Sequence, residues 1–177
     1  MSAHQQLSEP VISADGTRIA MHRLGQGPGC PILLSNALGV GLSPLRRTLD
    51  PIAERHQVVT WDHRGLGSSG PSATDRLGAD AHAEDALAVM DAAGIAQALV
   101  VAWSSGGRVA LEIAHRAPER VTGLVLVCAG YGHSLGRLLR LELAPLLPRV
   151  AGAMKFVAGP LGEIIRRSAA RPELAGL

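Results

Sequence analysis

Polar and apolar positions alternate from Val11 to Leu24 and fold back around Asp15-Gly16, the dipeptide that favours a tight hairpin turn. Beyond it the period changes repeatedly. Pro31-Ile32-Leu33-Leu34 is a short apolar run, and Ser43 to His56 then carries Leu45, Leu49, Ile52 and Ala53 at helical spacing. Gln57 to Trp61 returns as a strand, Ala79 to Ala93 as a helix stopped by Gly94, and Ala98 to Trp103 as a continuous apolar strand. Gly106 to Ala117 is the next helix, closed before Pro118, and Val121 to Val127 is apolar throughout, as a strand covered on both faces must be. Strand and helix in alternation predict an α/β fold built on a mostly parallel sheet with flanking helices.

From Gly130 the pattern changes. The remaining residues keep helical periodicity broken by Pro145, Pro148 and Pro160 and contain no strand signal, which divides the chain into a core over 1–130 and a helical cap segment over 131–177. Charge follows the same division, since residues 130–177 hold seven basic against three acidic side chains and the earlier residues ten against twelve.

A chain of 177 residues with 47% hydrophobic content can bury its own core without metal or disulfide. A net charge of +2 with no basic run argues against a nucleic-acid partner. No apolar run approaches the roughly 20 residues of a membrane span, and the N-terminus lacks the basic and apolar segments of a signal peptide, so the expectation is a cytoplasmic protein without a membrane partner. Cys30 and Cys128 stand far apart in apolar surroundings with no metal or redox spacing and are expected as two buried thiols, and no cofactor or metal is expected.

The candidate chemistry lies where the strand ending VVAW runs into SSGG and then directly into a helix. A strand that restarts at once as a helix turns sharply and presents one side chain alone, which is the context of a nucleophile elbow, with Ser104 as nucleophile and small residues, Ala102 and Gly106, two positions either side. Ala102 stands where the motif usually has glycine. The competing reading is that Ser104 merely caps the following helix, a position serine favours.

Two further segments follow the preceding strands. LLSNALG leaves the strand ending at Leu34, and WDHRGLGSSG leaves the strand ending at Trp61, with Asp62 and Arg64 placed to brace that loop as scaffold. In this order, over Val11 to about Gly130, the hairpin, LLSNALG, WDHRGLGSSG and AWSSGG resemble the α/β-hydrolase superfamily, and LSNALG is similar to the 3-oxoadipate enol-lactonase branch. The resemblance implies an incomplete α/β-hydrolase fold with the start of a helical cap, Ser104 as nucleophile, and the Ala37 and Ser105 amides as the oxyanion hole. It also implies two later strand-helix units carrying a catalytic acid and a catalytic histidine, and these have no counterpart in the sequence.

The histidines at hand do not replace them by position. His133 opens a helix-like run, His115 lies on the helix after the elbow facing away, and His63 sits in the neighbouring loop at a position the family leaves non-catalytic. The expected function is a serine hydrolase that cleaves a small carboxylic ester or lactone through an acyl-serine intermediate and is nearly inert as this polypeptide alone. The alternative is a non-catalytic binding or regulatory module that kept the sheet and lost the acid and histidine. A second chain, or a missing C-terminal segment, is the expected partner in the first case.

Overall fold

The computed structural model describes residues 9–129. The expected cap segment over 131–177, His133 included, lies outside the described residues. Within them the chain forms a six-stranded sheet in the order β1-β2-β4-β3-β5-β6. β1 (Glu9–Ile12) and β2 (Arg18–Leu24) are the hairpin, and Gly16 takes a φ of 86° at its turn while Asp15 Oδ1 accepts the Thr17 amide at 3.0 Å. β2 runs antiparallel to β4 (His56–Trp61), and β4, β3 (Gly29–Ser35), β5 (Ala98–Trp103) and β6 (Val121–Val127) are mutually parallel.

The side-chain period of two sorts the strands between helices. Leu33, Val59, Val100 and Leu124 join the cluster that contains α2 (Ala79–Ala92) and α3 (Gly106–Arg116), whereas Ile32, Leu34 and Val58 pack with Leu49 of α1 (Arg46–Ala53). α2 ends where Gly94 adopts a φ of 69° and the Ile95 amide returns to the Met90 carbonyl. The helix expected over 43–56 divides into a 3-10 turn, Ser43–Leu45, and the shorter α1, because Pro44 starts the first and Pro51 sits inside the second.

The connection from β3 to β4 carries α1 and lies on one face, while those that lead to and from β5 carry α2 and α3 on the other. The loops leaving β3 and β5, neighbouring strands paired Ser35 to Ala102, therefore diverge. The carboxyl ends of these two central strands are therefore a topological switch point, the place where α/β sheets bind ligands.

Neither cysteine is a buried thiol: Cys30 and Cys128 are both exposed. Cys30 precedes the part of β3 that both neighbours cover, and Cys128 lies just past the end of β6 with a φ of 48°. Apolar sequence neighbours do not bury a residue at a strand end.

Candidate active site

Ser104 stands immediately after β5 with a φ of 53°, in the left-handed region that non-glycine residues avoid at a cost of about 1–2 kcal/mol. Hydrogen bonds hold it there from both sides. Its amide donates to the Val127 carbonyl at 3.0 Å, and its carbonyl accepts from the Gly107 amide at 3.1 Å as α3 begins. The capping alternative finds no support, because α3 has no side-chain cap hydrogen bond at its N-terminus. Half-buried Ser104 is thus displayed by the turn rather than used to finish the helix.

Gly106 is required at its place by a contact across to the end of β3. A β-carbon there would overlap the Ser35 carbonyl, with the Asn36 carbonyl next nearest, so α3 approaches the end of β3 backbone to backbone. The buried Ser35 hydroxyl donates to the Gly106 carbonyl at 2.9 Å. On the outer side, the Leu38 amide donates to the Ser105 hydroxyl at 2.9 Å. The loop after β3 is therefore stitched to the elbow on either side of Ala37.

The two expected oxyanion amides differ in state. Ser105 N–H has no acceptor among the described residues, whereas Ala37 N–H donates to the Asn36 side-chain oxygen at 2.8 Å. Asn36 is buried and its side-chain nitrogen donates to the Val40 carbonyl at 2.5 Å. From the sequence Ala37 was the expected donor of this loop, and the Asn36 side chain that takes up its hydrogen was not singled out.

His63 is buried, edge-on to the His82 ring at 4.8 Å and tilted against Trp61 at 5.8 Å. Burial, and then the neighbouring His82, push its pKa down to about 4, so the ring is neutral. No side chain among the described residues hydrogen-bonds to the Ser104 hydroxyl. His115 is exposed on α3.

The second loop is scaffold. Asp62 accepts the Ser68 amide at 2.8 Å, and Gly67 leaves no room for a β-carbon beside that carboxylate. Arg64, buried, reaches further than the loop: it grips Asp85 of α2 two-pronged, at 3.0 and 2.6 Å, and Asp15 of the hairpin turn at 2.7 Å. Burial alone would raise the Asp85 pKa. His82, with Nδ1 3.6 Å from it, and Arg64 outweigh burial and hold the carboxyl below its usual range. Asp85 sits on the apolar face of α2 between Ala81 and Ala86, and an acid on such a face was the available sign that a buried cation lay opposite.

A largely parallel sheet that ends in a left-handed serine at its switch point is the core of an α/β hydrolase. The family model described as alpha/beta hydrolase fold matches residues 31–161, and the chain belongs to that family. Among its relatives is the carbamate hydrolase RutD of Azorhizobium caulinodans, 40% identical over 114 residues, which are 64% of this chain and 42% of that protein. The 2-hydroxymuconate semialdehyde hydrolase of Pseudomonas sp. is 34% identical over 125 residues, 69% of this chain and 43% of its own length. Among solved structures, Est816, described as an N-acyl homoserine lactone degrading enzyme, is 25% identical and superimposes with a TM-score of 0.62 over 92% of this chain and 64% of its own. The chain spans about two-fifths of the length of the curated relatives it matches. No helix among the described residues is long and apolar enough to cross a membrane.

Proposed function

We propose that this chain carries the nucleophile half of a serine hydrolase that opens a small carboxylic ester or lactone. The carrying observation is Ser104 held at a φ of 53° at the end of β5 with its hydroxyl used neither as a helix cap nor in any hydrogen bond among the described residues. In this reading the Ser104 oxygen attacks the substrate carbonyl, the oxygen that becomes negative is received by the Ser105 and Ala37 amides, and the alkoxide leaves to give an acyl-serine that water then hydrolyses. The proton of the Ser104 hydroxyl must pass to a general base, and no histidine or carboxylate among the described residues hydrogen-bonds to that hydroxyl. A carbamate presents the same kind of carbonyl, and the RutD relative's name favours it as a second substrate class.

The test is labelling by a fluorophosphonate, which reports nucleophilic serines without assuming the substrate. Peptide mass spectrometry should place the label on Ser104, and Ser104→Ala should remove it. Label on another residue, or equal labelling of the alanine variant, removes the nucleophile; a chain that binds esters without reacting under every condition is the binding module instead.

A further inference from the structure

The Ala37 amide owns one hydrogen, and Asn36 already has it. The carboxamide oxygen sits 2.8 Å from the Ala37 nitrogen, while the other end of the same group donates to Val40 at 2.5 Å. The loop backbone around it is fixed: Leu38 N–H is held by the Ser105 hydroxyl at 2.9 Å, and Val40 N–H by the Ala37 carbonyl at 3.1 Å. Ser35 is tied to Gly106 beneath it at 2.9 Å. A ligand oxygen that needs the Ala37 hydrogen therefore meets an anchored main chain and a single side chain in the way.

We propose that Asn36 is a positioning residue that occupies the oxyanion site in the empty protein and must turn its carboxamide away before Ala37 can donate to a substrate. This rests on Ser104 being the nucleophile as set out above. The chemistry favours release late in the reaction coordinate. A neutral carbonyl oxygen offers the amide no more than the Asn36 oxygen does, and it competes against a group tethered one residue away. An oxygen bearing developing negative charge makes a bond roughly twice as strong and displaces it. The same carboxamide keeps the donor paired while no ligand is present, which a buried N–H requires.

Two roles for Asn36 predict opposite signs. If the side chain were only a brace for the loop through Val40, then Asn36→Ala and Asn36→Asp, which both lose that donor, would both weaken the site. If it is an occupant, alanine opens the site and aspartate closes it, since a carboxylate holds the amide more firmly and repels an incoming anion.

The test is titration of the 177-residue chain with phenylboronic acid, followed by amide NMR. The Ser104 oxygen adds to boron and its proton leaves to solvent, giving a tetrahedral anionic boronate without need of a substrate. In the wild-type chain the Ala37 amide resonance and the Asn36 side-chain amide pair should move together as the adduct forms, alongside Ser105. Asn36→Ala should bind the boronate about three- to ten-fold more tightly and Asn36→Asp at least as much more weakly, the range set by one net hydrogen bond. An adduct that shifts Ser105 while Ala37 and the Asn36 side chain stay fixed, or alanine and aspartate variants that both bind more weakly, overturns the occupant role and leaves Ser104 intact. No adduct on wild type or either variant overturns the nucleophile reading and this inference with it. The wild-type spectra decide the matter even if a variant fails to fold.

Discussion

Gly106 and Ser35 meet backbone to backbone, with the Ser35 hydroxyl closing the contact onto the Gly106 carbonyl at 2.9 Å and no space left for a β-carbon. Since the obstruction is a carbonyl rather than a flexible side-chain end, Gly106→Ala has to push α3 off β3. We expect a loss of about 1–3 kcal/mol, in the class of changes that overpack a core. The urea midpoint measures it; a loss below about 1 kcal/mol would mean the helix slides freely.

The left-handed turn at Ser104 makes a separable demand. Ser104→Ala and Ser104→Gly both remove the hydroxyl, but only glycine takes a φ of 53° without steric penalty. The glycine variant should be more stable than the alanine variant by about 1 kcal/mol. Equal melting curves for the two would indicate that the turn relaxes once the hydroxyl is gone.

Arg64 joins three elements that are distant in sequence: the hairpin turn at Asp15, its own loop and α2 at Asp85. Removing it leaves the Asp85 carboxylate in the interior without its cation, so Arg64→Met should destabilise by about 3–5 kcal/mol. Lysine keeps the charge but cannot grip Asp85 with two prongs and hold Asp15 together, and Arg64→Lys should recover only part of the loss. Chemical denaturation of the three proteins under one buffer checks the order.

Periodicity alone was enough for the strands but not for their burial: in the apolar runs Leu99–Val101 and Leu124–Leu126 only Val100 and Leu124 are buried, and β6, expected to be covered on both faces, leaves Val127 exposed. The left-handed turn at Ser104 was legible for a related reason, because a strand abutting a helix through small residues leaves few backbone solutions. What pairs with what across space was not legible. Arg64 was read as a brace of its own loop, and it finds Asp85 only when α2 lies over β4; Gly106 was matched to Ala102, and it meets Ser35 because β3 lies beside β5. Asn36 acts through hydrogen bonds within its own loop and the Ser105 hydroxyl through one between loops, and neither kind carries a period. The two cysteines failed for the opposite reason: local apolar context was trusted at strand ends, where coverage stops.

His63 sets the response of the fold to acid. Its pKa is pushed down to about 4 from 6.5 by burial first and by the adjoining His82 second, against weaker opposing pulls from Asp85 and Asp62. Above about pH 6.5 the ring is neutral whether the chain is folded or not, and its contribution is intact. As pH falls from 6.5 to 4 the unfolded chain takes up the proton and the folded one does not, so stability declines across that window by up to about 3 kcal/mol. Asp85 and Asp15 do not share the window, because both carboxyls are held below their usual range and lose their contribution only at lower pH. Replacing the imidazole by a ring that cannot titrate isolates the effect: His63→Phe should have a urea midpoint that changes much less between pH 7 and pH 5 than the wild-type midpoint does. If both midpoints fall in parallel, His63 is not the group that couples the fold to acid.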